Sequence, residues 1–184
     1  FYRSSEGRYT PLQNEMHFLI EVTEQTFGSY FSLLNEVGLS ERTALHAHSF
    51  SQVKTLNALP YVFAAMEAKE NNWNECLIPN TQNEIAEGTW SSLVWMEDDQ
   101  LFTPPLSSGC VDSTMKQALQ DFLQQTGKEL TEKVCTLSNL QQAQEVWLLN
   151  ATRGIQAVSK FQGKNYPHAK ALETASKLED FLSL

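Results

Sequence analysis

The stretch "EIAEGTWSSLVWMEDDQLFTPP", residues 84–105, limits the fold more than any other part of the chain. Two apolar runs flank the polar turn "EDDQ", the pattern of two antiparallel strands joined by a tight turn. The ideal Asn-Gly pair is absent, and Pro104 and Pro105 end the second run, because proline has no N–H for a ladder. A hairpin between helical segments is foreign to an all-parallel, doubly wound sheet. The chain is therefore expected to be α+β (mixed α/β), with a mixed sheet closing on itself.

The flanking segments agree. "MHFLIEV" (Met16–Val22) reads as a buried strand, while the segment from there to about Ser49 predicts little. "LNALPYVFAAMEAKENN" predicts a helix running to about Asn72, with Leu59, Val62, Phe63 and Met66 at helical spacing and Pro60 in its first turn. "ECLIP" is a short strand. "STMKQALQDFLQQTG" is a helix that Asp112 or Ser113 can cap and Gly127 ends. "SNLQQAQ" is a short helix with Ser138 as its cap. "EVWLLNAT" and "IQAVSKF" are strands, and "PHAKALETASKLEDFLSL" is a terminal helix with Pro167 near its first turn.

Charge excludes some partners. With 13 basic and 22 acidic residues, a net charge of -9 and a pI near 4.9, neither nucleic acid nor an anionic membrane is expected as the main partner. No apolar run is long enough to span a bilayer. Cys76, Cys110 and Cys135 lack CxxC spacing and fit reduced thiols of a cytoplasmic protein. His46 and His48 could offer two metal ligands, but nothing suggests a third, so no metal is expected. "NAT" at 150–152 has the form of a glycosylation acceptor, but a strand end in such a chain argues against its use. The chain opens on Phe1, without an initiator Met and as if inside a strand, so preceding sequence is expected.

Four features carry chemistry: Lys54 just before a helix, Glu87 followed by Gly88, the loop "SSGCVDSTMK" running into a helix N-terminus, and "LLNATRG" at a strand end. Read singly, each has a bland explanation: a solvated lysine, an exposed strand glutamate, an ordinary cap. Together they match the needs of pyridoxal phosphate. Its aldehyde needs an amine, its ring nitrogen a carboxylate, and its phosphate an anion cradle such as free helix N–H groups and small hydroxyl residues.

The order of these segments resembles the class IV aminotransferases, the fold-type IV pyridoxal-phosphate enzymes that include branched-chain and D-amino-acid aminotransferases and aminodeoxychorismate lyases. "VKTLNAL", "EGTWSSLVW…LFTPPLSSGCVDSTMK" and "EVWLLNATRGIQAV" are similar to the family's lysine, glutamate-and-cradle and last-sheet segments. The likeness runs from about Gly7 onward and implies the D-amino-acid-aminotransferase-like fold, of which this chain carries the C-terminal pseudo-barrel domain. It implies that Lys54 forms the Schiff base and moves the substrate's α-proton, and that Glu87 faces the ring nitrogen. Ser113, Thr114 and Met115 fall at the phosphate cradle, with the N–H groups of Thr114 and Met115 as donors. Ala151 and Thr152 fall at a second phosphate-binding stretch.

This chain departs from the pattern at Ser92 (usually Asn), Ser113 (usually Gly), Lys116 (usually Arg) and Ala58, where many members carry a tyrosine that reaches the cofactor. The resemblance further implies a whole N-terminal domain, of which residues 1–23 would be the last strands, leaving 24–184 as the cofactor-binding domain. The expected activity is transamination of a branched-chain-like amino acid by a homodimer. The alternatives are aminodeoxychorismate lyase activity, which releases pyruvate and is faintly echoed in "YRSSEGRYTP", and a non-catalytic remnant that serves as an interaction module.

Overall fold

The computed structural model describes residues 2–3, 9–10, 12–13, 15–24 and 29–182. Its elements in chain order are β1 (Tyr2–Arg3), β2 (Met16–His17), β3 (Phe31–Leu34), β4 (Val37–Leu39), α1 (Leu59–Glu70), β5 (Glu75–Pro79), β6 (Ile85–Gly88), β7 (Ser92–Glu97), β8 (Gln100–Thr103), α2 (Thr114–Gln125), β9 (Leu130–Glu132), α3 (Leu137–Gln142), β10 (Glu145–Asn150), β11 (Gly154–Val158), β12 (Lys160–Phe161), β13 (Lys164–Asn165) and α4 (Ala169–Leu182). β1 and β2 form a separate two-stranded ribbon, and most of "YRSSEGRYTP" lies outside the described residues.

The large sheet is mixed and curls until its ends meet. Its path runs β4–β5–β6–β7–β10–β11–β3, and β8 branches from β7 to pair with β9. The seam is a parallel pairing of two continuous segments. β3 lies against β11 with Leu34 opposite Val158, and β4 lies against β12 with Val37 opposite Phe161. Since β3 leads directly into β4, and β11 into β12, the last strand of the path returns to the first. At this seam the backbone of Gly154 has φ 66°, and a Cβ there would lie 2.1 Å from the Tyr30 carbonyl oxygen. Only glycine tolerates both conditions.

The closed sheet has two buried faces. Val146 and Leu148 of β10 point into the interior with Leu77, Leu93, Trp95, Val158 and Phe161. Trp147 and Leu149 alternate outward to pack on α2 and α4 through Met115, Leu119, Ala171 and Leu178. The predicted hairpin is β7–β8. Asp98 and Asp99 hold φ of 49° and 61°, the left-handed backbone at both turn positions that suits the twist of a two-residue hairpin.

Several expectations are corrected. The Met16–Val22 strand shrinks to Met16–His17: among the described residues its strand partner is Tyr2–Arg3, and Phe18, Leu19, Ile20 and Val22 expose 63–88% of their surface. β3 and β4 arise in the segment that predicted little, and β9 is an added strand. The cap of α3 is Thr136, not Ser138: Thr136 and Asn139 bond each other's backbone N–H in a capping box. Helix α1 turns its apolar stripe outward, with Leu59, Val62, Phe63 and Met66 46–61% exposed. Its buried face is Ala64, Glu67 and Ala68, because the space over Cys76, Ile78 and Ala86 admits small side chains. Glu67 tolerates burial by accepting from Ser40 Oγ (2.7 Å) and the Glu41 N–H (3.1 Å).

Candidate active site

Antiparallel pairing brings four chain ends to one rim of the closed sheet. β6 ends there at Gly88, β7 starts at Ser92, β10 ends at Asn150 and β11 starts at Gly154. The N-terminus of α2 and the loop carrying Lys54 complete a cavity of ≈ 260 Å³ at this rim. A second cavity of ≈ 440 Å³ shares Lys54 and Tyr61 with it and is also lined by His46 and His48.

Lys54, Glu87, Ser113, Thr114, Met115 and Ala151 all line the first cavity. Thr152 does not. Its hydroxyl and its N–H both donate to Asn150 Oδ1, at 2.7 and 2.9 Å, in a tight local turn.

Glu87 is buried at the cavity wall. Its Oε1 accepts from the Tyr61 hydroxyl (2.6 Å) and its Oε2 from the Val111 N–H (3.1 Å). Burial pushes its carboxyl above the ordinary range, opposed by those two bonds and by the charges of Lys54 and Lys116. No lysine or arginine forms an ion pair with Glu87 among the described residues.

The opposite end carries the N-terminus of α2. Ser113 caps α2 by accepting from the Lys116 N–H (3.2 Å), and Ser92 Oγ donates to Ser113 Oγ (2.7 Å). The helix's first two amides, of Thr114 and Met115, have no acceptor in the described structure and form the positive end of the helix dipole. Lys116 is buried beneath this turn, 3.5 Å from Asp112.

The β6–β7 turn forms a third wall and rests on a buried carboxylate. Glu75 accepts from the hydroxyls of Thr89 and Ser91 and from the Trp90 N–H, the Ser91 bond measuring 2.6 Å. A Cβ on Gly88 would meet Glu75 Oε1 at 2.3 Å, so the glycine is what lets the carboxylate lie under the turn. Asn150 ties the turn to β10 by donating to the Trp90 carbonyl (2.8 Å), and the Arg153 guanidinium lies 4.9 Å over the Trp90 ring.

A profile of the family described as amino-transferase class IV matches residues 1–161. The chain belongs to the class IV aminotransferases. Over 123 residues it is 29% identical to an aminodeoxychorismate lyase of Vibrio harveyi, covering 67% of this chain and 43% of that one. Over 125 residues it is 24% identical to a branched-chain-amino-acid aminotransferase of Salmonella typhimurium, covering 65% and 40%. This chain thus spans less than half the length of these two relatives. In fold it is similar to a branched-chain aminotransferase from Thermoproteus uzoniensis, with a TM-score of 0.78 at 19% identity, over 85% of this chain and 54% of that chain. It is also similar to the PLP-bound form of a hypothetical aminotransferase from Mycobacterium tuberculosis, with a TM-score of 0.71 at 20% identity, over 80% and 55%.

The class IV pattern directed attention to Ala58 as the place of a tyrosine. The structure brings another tyrosine to the cavity: Tyr61, one helical turn later on α1. Its signal was the (i, i+3) spacing from Ala58 on a helix face. Glu75, Trp90 and Asn150 gave no comparable signal, because their roles depend on strand pairing across the rim.

Proposed function

We propose that this class IV chain binds pyridoxal 5'-phosphate in the rim cavity and uses it to transaminate an amino acid of branched-chain-like character. One observation carries the reading: an amine, a buried carboxylate with no ion pair among the described residues, and a helix N-terminus converge on one cavity. These residues fit the group. Glu87 suits a ring N–H, the Thr114 and Met115 amides suit a phosphate, and Lys54 suits an aldehyde. When bound, pyridoxal phosphate supplies an electron-withdrawing ring that makes the substrate's α-proton removable.

The chain's own residues do the rest. Glu87 holds the ring-nitrogen proton. The N-terminus of α2 anchors the phosphate end, with Ala151 at the facing strand turn. Lys54 Nζ, the amine that suits the aldehyde, would take the substrate's α-proton and return it. In this reading residues 24–184 carry the cofactor, the protein works in the cytoplasm with its three buried thiols reduced, and the outward apolar stripe of α1 pairs with a second copy.

The identity of 29% with a lyase supports a second reading, aminodeoxychorismate cleavage with release of pyruvate. The two differ in product: transamination turns an amino acid into its keto acid and needs a second keto acid as amino-group acceptor, whereas the lyase reaction yields pyruvate without one.

The test is a titration of the purified chain with pyridoxal phosphate, followed in the near-visible. Borohydride reduction and peptide mass spectrometry then locate the adduct. A new absorbance band and an adduct on Lys54, lost in Lys54→Ala, are expected. No adduct favours a non-catalytic remnant, and an adduct on another lysine overturns the assignment.

A further inference from the structure

Glu87 has more built around it than a carboxylate in a cavity wall requires. Each of its oxygens has room for two donors, and each has one from the protein: Oε1 from Tyr61 and Oε2 from Val111. The Val111 donor is backbone and comes from the loop before α2. The Tyr61 donor comes from α1, which is itself fixed on the sheet through Ala64 and Ala68. Two donors from two elements prevent the carboxylate from rotating, and each oxygen keeps one free acceptor position.

We propose that Tyr61 is a positioning residue: its hydroxyl clamps Glu87 so that the carboxylate stays ionised with an acceptor position facing the cavity. The inference rests on the reading that the cavity takes pyridoxal phosphate, whose ring N–H would meet that position. The groups around Glu87 are Tyr61 on α1, Lys54 in the loop before it, Cys110 and the Val111 N–H in the loop before α2, and Lys116 on α2. Burial favours the neutral carboxyl, and the Tyr61 bond is the leading influence against it. Burial and the adjacent Glu87 also push the Tyr61 phenol far above its ordinary value, so it remains a donor at any physiological pH. Lys54 and Lys116 favour the same charge through space, but neither forms an ion pair with Glu87 in the described structure.

The test compares wild type with Tyr61→Phe, which removes one oxygen and keeps the ring that lines the cavity with Lys54. In cofactor-free protein labelled with carboxyl-¹³C glutamate, the Glu87 resonance, assigned by its loss in Glu87→Gln, is followed against pH. Its midpoint is expected at higher pH in Tyr61→Phe, since burial then acts with less opposition. Pyridoxal phosphate affinity, measured by absorbance titration, is expected to fall about tenfold or more, the scale of one hydrogen bond to a charged group. In a Glu87→Gln background, adding Tyr61→Phe should cost little further affinity, because the two act as one unit. A Glu87 midpoint that does not move, or the same affinity loss in both backgrounds, overturns the proposal. If wild type binds no pyridoxal phosphate, the functional reading fails, and the Glu87 midpoint alone decides the role of Tyr61.

Discussion

The hydroxyl of Ser92 donates to the hydroxyl of Ser113 across 2.7 Å, joining the start of β7 to the cap of α2. These are two of the positions at which the chain departs from the class IV pattern, which the resemblance fills with Asn and Gly. The departures are partners: a serine at one place gives the serine at the other its donor, while Ser113 Oγ still accepts from the Lys116 N–H. Ser113→Ala should lose the cap and cost about 1 kcal/mol, whereas Ser113→Gly should cost only a few tenths. By thermal melting that is a fall of about 2–4 °C for alanine in a chain of this size and little change for glycine. Cofactor affinity should be nearly unchanged in both if, as proposed, the phosphate donors are the backbone amides of Thr114 and Met115. A large loss of affinity in Ser113→Ala would show that the hydroxyl itself is the ligand.

The buried carboxylate under the β6–β7 turn makes stability depend on pH. Glu75 and Glu87 are both held above the ordinary carboxyl value of 4.5, with burial the first cause. Between the unfolded and folded values the native state holds more protons than the unfolded chain. Stability therefore falls as pH rises through that window, which lies above 4.5. Glu70, Glu97 and Glu173 lie below 4.5, and their contribution is lost only on further acidification. Glu75→Gln should flatten the decline above 4.5 and leave the acid limb in place. Urea unfolding of both proteins at a series of pH values reads this directly, and parallel curves would exclude Glu75 as a source.

The outward stripe of α1 predicts assembly. Leu59, Val62, Phe63 and Met66 form an apolar surface beside Leu56, which is 98% exposed, and Phe50. Sedimentation velocity is expected to show a dimer at micromolar concentration. Phe63→Asp should convert it to a monomer with little loss of monomer stability, since exposed substitutions cost within about 0.5 kcal/mol. A wild-type monomer at high concentration would count against the second copy as the stripe's partner.

Much of the fold was legible because its signals are local. The "EDDQ" turn, the proline stop after β8 and the serine cap of α2 each depend on a few neighbouring residues. The face of α1 was not legible. Its periodicity marks a helix, but whether the large or the small residues face the sheet is set by the space above Cys76, Ile78 and Ala86. In the candidate site, Lys54 and Glu87 stood out by chemistry and order. Tyr61 and Glu75 did not, since their effect comes from a helix and a strand far apart in the chain. Thr152 looked suited to a cradle, but Asn150 two residues earlier already takes its hydroxyl.

Glu87→Gln separates charge from shape at the cavity wall. The amide fits the same space and keeps two bonds: its oxygen can accept from the Val111 N–H, and its NH₂ can donate to the Tyr61 oxygen. Folding should survive, and burying a neutral group in place of a carboxylate removes a desolvation cost. The cost appears in function. In the proposed reading the amide would offer no negative charge to a ring N–H, so the proton that makes the ring an electron sink would no longer be held. Turnover is expected to fall about a hundredfold or more, the upper range of a hydrogen bond to a charged group. Pyridoxal phosphate should still attach to Lys54, since the amine and the α2 amides are untouched. Rapid-quench turnover and borohydride trapping on the same sample resolve the two effects. Near-wild-type turnover in Glu87→Gln would mean that another group faces the ring nitrogen, and loss of trapping with loss of turnover would mean that Glu87 holds the cavity's shape.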